Sequence, residues 1–189
     1  MLGTNRSDKR ITYLVHMRSL VLSVLAVLAF SSATSPRPVD QADFTVYIFM
    51  AQRCNICKYY IPTLKQLHAD FEDKGVHFEG IFPNAHSTPE EIAAFEQEFD
   101  IPFALHPDTE YLTSKYRATV TPEVVLVDSK GAVHYQGRID NSYVRVGKRR
   151  TRTTSSELKD ALKAVTSGKP VKTPAAPAIG CIIERPKNP

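Results

Sequence analysis

The spacing of apolar and polar residues changes several times along the chain, and each change predicts an element. The run from Phe44 to Met50 is almost continuously apolar and β-branched, which is typical of a strand buried on both faces. Residues 57–73 then place apolar side chains at helical spacing, and Gly75 follows as a stop signal. This pattern predicts a long helix directly after the first strand, followed by a second strand at 76–82.

The second half of the pattern completes an α/β fold. Residues 88–91 read Thr-Pro-Glu-Glu, which combines an N-cap, a proline at the first helical position and a capping-box glutamate. Beyond this second helix we expect a short strand at 101–105, a helical segment at 108–116, a hairpin of strands 121–128 and 133–137, and a last helix capped by 154–157. This order predicts a central mixed sheet with helices on both faces and an inserted αβ unit after the second strand.

The N-terminal pattern is that of an export signal. Arg18 precedes an apolar run from Leu20 to Phe30, and small residues follow up to Ala33. The run is shorter than the roughly 20 residues of a transmembrane helix, so residues 1–33 are interpreted as a cleaved signal peptide or an N-terminal membrane anchor. We therefore expect a periplasmic or secreted protein, in which 34–42 form a linker.

Composition and charge change this picture little. At 189 residues, 42% of them hydrophobic, the chain has room for one domain, which we place at 43–168. Residues 169–189 form a proline-rich tail that carries an apolar segment with a Gly180-Cys181 motif. The net charge is +4, and the basic run at 147–152 lacks the interleaved aromatics of a nucleic-acid surface. No nucleic-acid partner is expected.

Two cysteines at the predicted strand-to-helix junction carry the candidate chemistry. Cys54 would lie at the helix N-terminus, where free N–H groups and the helix dipole stabilise a thiolate, and Arg53 adds positive charge nearby. Cys57 lies one turn further on, within reach to resolve a mixed disulfide. The pair therefore predicts a thiol–disulfide oxidoreductase that exchanges disulfides with a protein substrate and an upstream redox partner, with no bound cofactor.

Two other functions remain open at this point. A copper-binding or metallochaperone module could use Cys54, Cys57 and either Cys181 or a histidine, for which His86 and His106 are the candidates. The chain has only three cysteines and no second CxxC, which disfavours a structural zinc site. A peroxidase of the peroxiredoxin type is less favoured, because neither cysteine follows the Pro-x-x-x-Thr-x-x-Cys pattern.

The motifs also resemble a known family. The sequence RCNICKYYIP resembles the active-site segment of the thioredoxin-like superfamily, including Pro62 five residues after the second cysteine. Residues 120–131 resemble the family's cis-proline segment, which implies a cis Thr121–Pro122 bond that forms part of the substrate groove. The inserted αβ unit and the export signal resemble the TlpA and redoxin (AhpC/TSA-like) branch.

Some positions depart from the family pattern. No tryptophan precedes Cys54, Asn55-Ile56 replaces Gly-Pro between the cysteines, and Ile48 stands where thioredoxins keep a buried acid. Glu123, beside the expected cis-proline, is a candidate substitute base. Cys181 has three possible roles: a small apolar packing residue, a thiol that exchanges with the pair, or a ligand of a metal or haem-type group.

Overall fold

A computed structural model describes residues 43–184. The strands are β1 (Phe44–Phe49), β2 (Val76–Phe82), β3 (Ala104–Pro107), β4 (Val120–Thr121), β5 (Glu123–Asp128), β6 (Val133–Gly137), β7 (Tyr143–Arg145), β8 (Lys148–Arg149) and β9 (Cys181–Ile182). The helices are α1 (Asn55–Phe71), α2 (Pro89–Phe99), α3 (Leu112–Lys115) and α4 (Glu157–Thr166), with a 3-10 turn at Glu72–Lys74. The elements occur in the order that the sequence predicted, with β4, β7, β8 and β9 in addition.

A five-stranded mixed sheet forms the centre of the fold. The strand order is β3-β2-β1-β5-β6, in which β1, β2 and β3 are parallel and β5 and β6 are antiparallel to their neighbours. As the central strand, β1 alternates its side chains between two buried faces. Val46 and Ile48 belong to the larger core, whereas Phe49 belongs to a smaller core on the opposite face. The predicted mixed α/β sheet is therefore confirmed.

The two faces of the sheet are covered unequally. The larger core takes Leu64 of α1, Ile92 of α2 and Leu162 of α4, so three helices pack on that face. The smaller core takes Leu112 of the one-turn helix α3 and Ile183 of the C-terminal segment. Part of the sheet is thus buried by the tail.

The helix ends follow local sequence in two of three cases. Thr88 caps α2 with the complete capping box, and Gly75 ends the 3-10 turn after α1 with φ 79°. The capping predicted at 154–157 is wrong, because Ser156 is the N-cap of α4 and makes no side-chain capping bond. Instead, the Ser155 hydroxyl donates to the Glu157 carboxylate, which also binds Arg138.

Three predicted boundaries also shift. Helix α1 begins at Asn55 rather than at residue 57, so Cys57 lies inside its first turn. The strand expected at 101–105 begins only at Ala104, and the helical segment expected at 108–116 is a single turn from Leu112 to Lys115.

The predicted signal peptide or anchor (1–33) and linker (34–42) lie outside the described residues. Between residues 43 and 184, no helix combines the length and the apolar character needed to cross a membrane.

Candidate functional site: a three-cysteine centre at the start of α1

Cys54 lies where β1 gives way to α1 and is the N-cap residue of that helix. Its backbone is extended, and its carbonyl oxygen accepts a 3.2 Å hydrogen bond from Lys58 N, the first bond of the helix. No acidic side chain lies in the first turn of α1. Cys54 therefore lies beside backbone N–H groups whose partial positive charge is not offset by a carboxylate of that turn.

Thr121 and Pro122 face this cysteine from the other side. Their peptide bond is cis, as the resemblance implied. The carbonyl oxygen of Thr121 lies 3.1 Å from Cys54 Sγ, and Thr121 is only 1% exposed. The structure therefore brings Cys54, Thr121 and Pro122 together at one end of the sheet.

The third cysteine joins the same centre. Cys181 forms a disulfide with Cys54, with the two Cα atoms 6.1 Å apart and a sequence separation of 127. Its strand, β9, pairs antiparallel with β4, so that Cys181 is opposite Thr121 and Ile182 is opposite Val120. The C-terminal segment is thus added as a strand to the backbone that leads into Pro122.

Cys57 is the free cysteine among the described residues and has no contact with solvent. Burial raises the pKa of its thiol to about 12, against weaker opposing effects of hydrogen bonds with the Ala51 backbone and the Thr121 side chain. Both Cys54 and Cys57 therefore contact Thr121. At neutral pH the structure holds one disulfide and one buried, protonated thiol.

The segment that holds this arrangement matches a known protein family. Residues 42–133, which include β1, the cysteine pair and the cis-proline segment, match the family described as Thioredoxin-like. The chain has a thioredoxin-like fold.

Two solved structures resemble the thioredoxin-like domain over most of their length. An uncharacterized conserved protein from Geobacillus kaustophilus is 28% identical with a TM-score of 0.68, covering 79% of this chain and 81% of that one. A hypothetical protein from Sinorhizobium meliloti 1021 is 25% identical with a TM-score of 0.67, covering 78% and 82%. The shared fold therefore extends beyond the residues that the family matches.

A curated relative is more distant. The thioredoxin-like protein YneN from Bacillus subtilis is 24% identical over 85 residues, which are 45% of this chain. The match spans half the length of YneN.

Arg53 directly precedes Cys54, but its side chain lies against α2. Its side chain is 75% exposed, and its guanidinium lies 3.7 Å from Glu91 Oε1 on α2. The other oxygen of Glu91 accepts a 3.0 Å hydrogen bond from Gln52. The structure therefore places Arg53 in a surface ion pair that links the β1–α1 junction to α2.

Glu123 is buried, but on the face of the sheet away from Cys57. It is opposite Phe49 in the β1–β5 pairing, and Phe49 belongs to the smaller core, whereas Cys57 belongs to the larger one. Its carboxylate accepts hydrogen bonds from Thr119 N at 3.0 Å and from Gln136 Nε2 at 2.9 Å. These contacts make Glu123 an anchor for the segment before Pro122 and give it no contact with the cysteine pair.

Each of the two candidate histidines lies near a carboxylate. His86 Nδ1 lies 3.9 Å from Glu184, and His106 Nε2 lies 3.3 Å from Glu79. In residues 43–184 no group of three or more His, Cys, Asp or Glu side chains is arranged to hold a metal ion. The copper-binding alternative thus has no assembled ligand set in the described part of the chain.

Sequence reasoning missed Thr119 and Asn84, which seat the tail, but it singled out Gly180 in the Gly180-Cys181 motif. Thr119 O accepts a 3.0 Å hydrogen bond from Ile183 N, and Asn84 Oδ1 accepts one of 3.1 Å from Glu184 N. Gly180 packs against the Thr121–Pro122 peptide. The apolar segment around Cys181 signalled that the tail would dock, but nothing local in the sequence specified where.

Proposed function

We propose that the protein is an exported thiol–disulfide oxidoreductase that exchanges disulfides with a protein substrate. One observation carries this proposal: Cys54, the N-cap of α1, is disulfide-bonded to a cysteine on an extended segment that pairs with the residues before cis-Pro122. This is the arrangement that a disulfide-exchange intermediate requires, with an extended polypeptide held by backbone hydrogen bonds. The inserted α2–β3 unit supports the expected placement in the TlpA and redoxin branch.

Each cysteine of the pair has a distinct role in this proposal. Cys54 attacks, because the helix N-terminus stabilises its thiolate. Cys57, inside the first turn and in contact with Thr121 as Cys54 is, attacks the resulting mixed disulfide and releases the partner. Thr121 and Pro122 provide the backbone edge along which the partner lies.

Insulin reduction driven by dithiothreitol tests this function. We expect Cys54→Ser to abolish the acceleration, and Cys57→Ser to slow turnover strongly because the resolving thiol is missing. Val146→Ala, a change at an exposed position in the β7–β8 turn, is the matched control and should keep the wild-type rate. Full activity of Cys54→Ser would contradict the proposal. Stoichiometric copper in the reduced protein without reductase activity would favour the metal-binding alternative.

Export is a separate part of the proposal and is supported by the apolar run at 20–30. Expression of the full chain in a Gram-negative host, followed by fractionation and intact mass, tests it. We expect periplasmic protein that either starts after Ala33 or retains the N-terminus in the membrane fraction. Uncleaved protein in the cytoplasm would contradict export.

A further inference from the structure

The C-terminal segment lies where the proposed function places an external substrate. Strand β9 pairs antiparallel with β4, and Ile183 N adds a further backbone bond to Thr119 O at 3.0 Å. Within that pairing, Cys181 is bonded to Cys54. The chain therefore presents a cysteine of its own to its nucleophile, on an extended backbone.

The site where this segment docks has room only for a glycine at the position before Cys181. A Cβ atom on Gly180 would overlap the Thr121 carbonyl group and lie 3.1 Å from Pro122 N. The overlapped atoms are backbone in a buried site, so they cannot move aside as the end of a flexible side chain would. Gly180 thus permits the close approach that brings Cys181 to Cys54.

The three cysteines differ in their exposure to solvent. Cys54 is 1% exposed and Cys57 is fully buried, whereas Cys181 is half-buried. An external thiolate can therefore approach the disulfide at Cys181 more easily than at Cys54. Attack there displaces Cys54 as a thiolate beside the N-terminus of α1, which favours it as the leaving group.

We propose that Cys181 is a third redox cysteine, which passes disulfides between the Cys54–Cys57 pair and the protein partner. This inference rests on the proposed function and refines it: Cys181 is the sulfur that meets the partner, and the segment that lies along Thr121–Pro122 and reacts with Cys54 is the protein's own tail.

In the reducing direction the exchange runs in four steps. The Cys181 thiolate attacks a protein disulfide, forms a mixed disulfide and releases one partner thiolate. The Cys54 thiolate then attacks Cys181 Sγ, which forms the Cys54–Cys181 disulfide and releases the second partner thiolate. Cys57 next loses its proton and attacks Cys54 Sγ, so that Cys54–Cys57 forms and Cys181 leaves as a thiolate and takes up a proton. An upstream dithiol reduces Cys54–Cys57 and is itself oxidised to a disulfide.

The attachment of the tail gives Cys181 the reach for this exchange. Ala176 O accepts a 3.0 Å hydrogen bond from Arg138 N, which anchors the tail five residues before Cys181. An extended chain of that length spans about 17 Å. When β9 leaves β4, Cys181 can therefore meet a bulky partner outside the groove while the anchor stays in place.

The order in which disulfides form tests the proposal directly. Reduced wild-type protein is mixed with oxidised insulin, quenched in acid at increasing times and mapped by mass spectrometry. We expect Cys54–Cys181 to appear first and to be replaced by Cys54–Cys57. If Cys54–Cys57 forms first, the pair reacts with the partner directly and the proposal is wrong.

Variants of the tail provide a second test in the dithiothreitol-driven insulin assay. We expect Cys181→Ser to slow turnover about tenfold or more, because the tethered thiol and its high effective concentration are lost. Gly180→Ala keeps the thiol but blocks its seat, so a comparable fall is expected. Ile182→Ala is the matched control, because Ile182 lies on the same strand and is 81% exposed. Its rate should equal that of the wild type.

The outcomes separate this inference from the proposed function. If Cys54→Ser is inactive while Cys181→Ser and Gly180→Ala turn over at the wild-type rate or faster, the relay is wrong and the oxidoreductase stands. If Cys54→Ser remains active, the proposed function itself fails. Thermal unfolding of each reduced variant checks that the fold is kept, and the disulfide order in the wild-type protein needs no variant.

Discussion

The hydroxyl of Tyr60 donates a 2.7 Å hydrogen bond to Asp140 Oδ1, across 80 residues of sequence. Both residues are buried, and the same carboxylate oxygen accepts a 2.8 Å bond from Ser142 N. Burial, together with the neighbouring carboxylate, raises the pKa of Tyr60, so its phenol stays protonated as the donor. The bond fixes the first turns of α1, which carry the cysteine pair, against the loop that follows β6.

Tyr60→Phe is expected to lower the free energy of unfolding by about 2 kcal/mol, because it removes a donor to a buried carboxylate. Urea denaturation of the reduced protein measures the change. Tyr59→Phe is the matched control, since Tyr59 is 36% exposed and its hydroxyl can bind water; we expect a change near zero. Equal stability of the two variants would show that the Tyr60–Asp140 bond contributes nothing.

Cys57 should react as a protonated thiol in the Cys54–Cys181 disulfide form. Its pKa of about 12 means that the thiolate fraction rises about tenfold per pH unit between pH 7 and pH 10. Iodoacetamide labelling followed by mass spectrometry should show this slope. Rapid labelling at pH 7, or a plateau above pH 8, would contradict the buried, protonated state.

The same raised pKa predicts how stability depends on pH in alkaline solution. The folded state holds the Cys57 proton more tightly than the unfolded state, whose thiol has the ordinary pKa of 9.0. The contribution to stability is therefore complete below pH 9 and is lost as the pH rises from 9 towards 12. Urea denaturation of the disulfide form should show this loss of stability with rising pH. The loss should be smaller in Cys57→Ala, which has no thiol to titrate at this position.

Glu157 provides a prediction for acid solution. Burial would raise its pKa, but hydrogen bonds from Arg138 and Ser155 outweigh burial and hold the pKa below the ordinary 4.5. Its contribution is therefore present above pH 4.5 and is lost as the pH falls below that value. We expect Glu157→Gln to cost about 2 kcal/mol at pH 7 and progressively less towards pH 3. Glu98→Gln, at an exposed position of α2, should change stability little at either pH.

Docking of the tail should depend on Ile183 and not on its neighbour. Ile183 is 5% exposed within the smaller core, whereas Ile182 is 81% exposed. Ile183→Ala removes buried methyl groups at a cost of about 2–5 kcal/mol for a fully packed site. Hydrogen exchange at Thr121, which is opposite Cys181 in the β4–β9 pairing, should become faster in Ile183→Ala and stay unchanged in Ile182→Ala. Equal exchange in both variants would contradict a docked β9.

The sequence predicted the elements whose signals are local. The buried run of β1, the capping box of α2 and the glycine after α1 each depend on residues within one turn or strand, and each was found as predicted. The cis Thr121–Pro122 bond followed from the resemblance.

Predictions failed where tertiary contacts override local pattern. Ile101 and Phe103 are apolar at strand-like spacing, but they are buried as part of the larger core before β3 begins. The segment 108–116 looked helical, yet Asp108 accepts hydrogen bonds from Leu112 N at 2.7 Å and Thr113 N at 3.0 Å, and only one turn follows.

The Cys54–Cys181 pairing shows the same limit at the site. Two-residue spacing identified Cys54 and Cys57, but the partner that the structure gives to Cys54 is 127 residues away. That choice depends on the β4–β9 pairing, which has no local signal, and on the close approach that Gly180 permits, for which the glycine itself was the signal. Glu123 shows the opposite case. Its position beside Pro122 suggested a substitute base, but its pairing opposite Phe49 places it on the face of the sheet away from Cys57.

The pairing of Cys54 with Cys181 and the burial of Cys57 also affect how readily this centre is oxidised by peroxides. Peroxides oxidise exposed thiolates to sulfenic acid and then irreversibly to sulfinic and sulfonic acids. In the form with the Cys54–Cys181 bond, Cys54 and Cys181 are already paired, and Cys57 is protonated and out of contact with solvent. The protein in this form therefore offers peroxide no thiolate from this centre, and irreversible oxidation of Cys54 or Cys181 requires that their disulfide is first reduced.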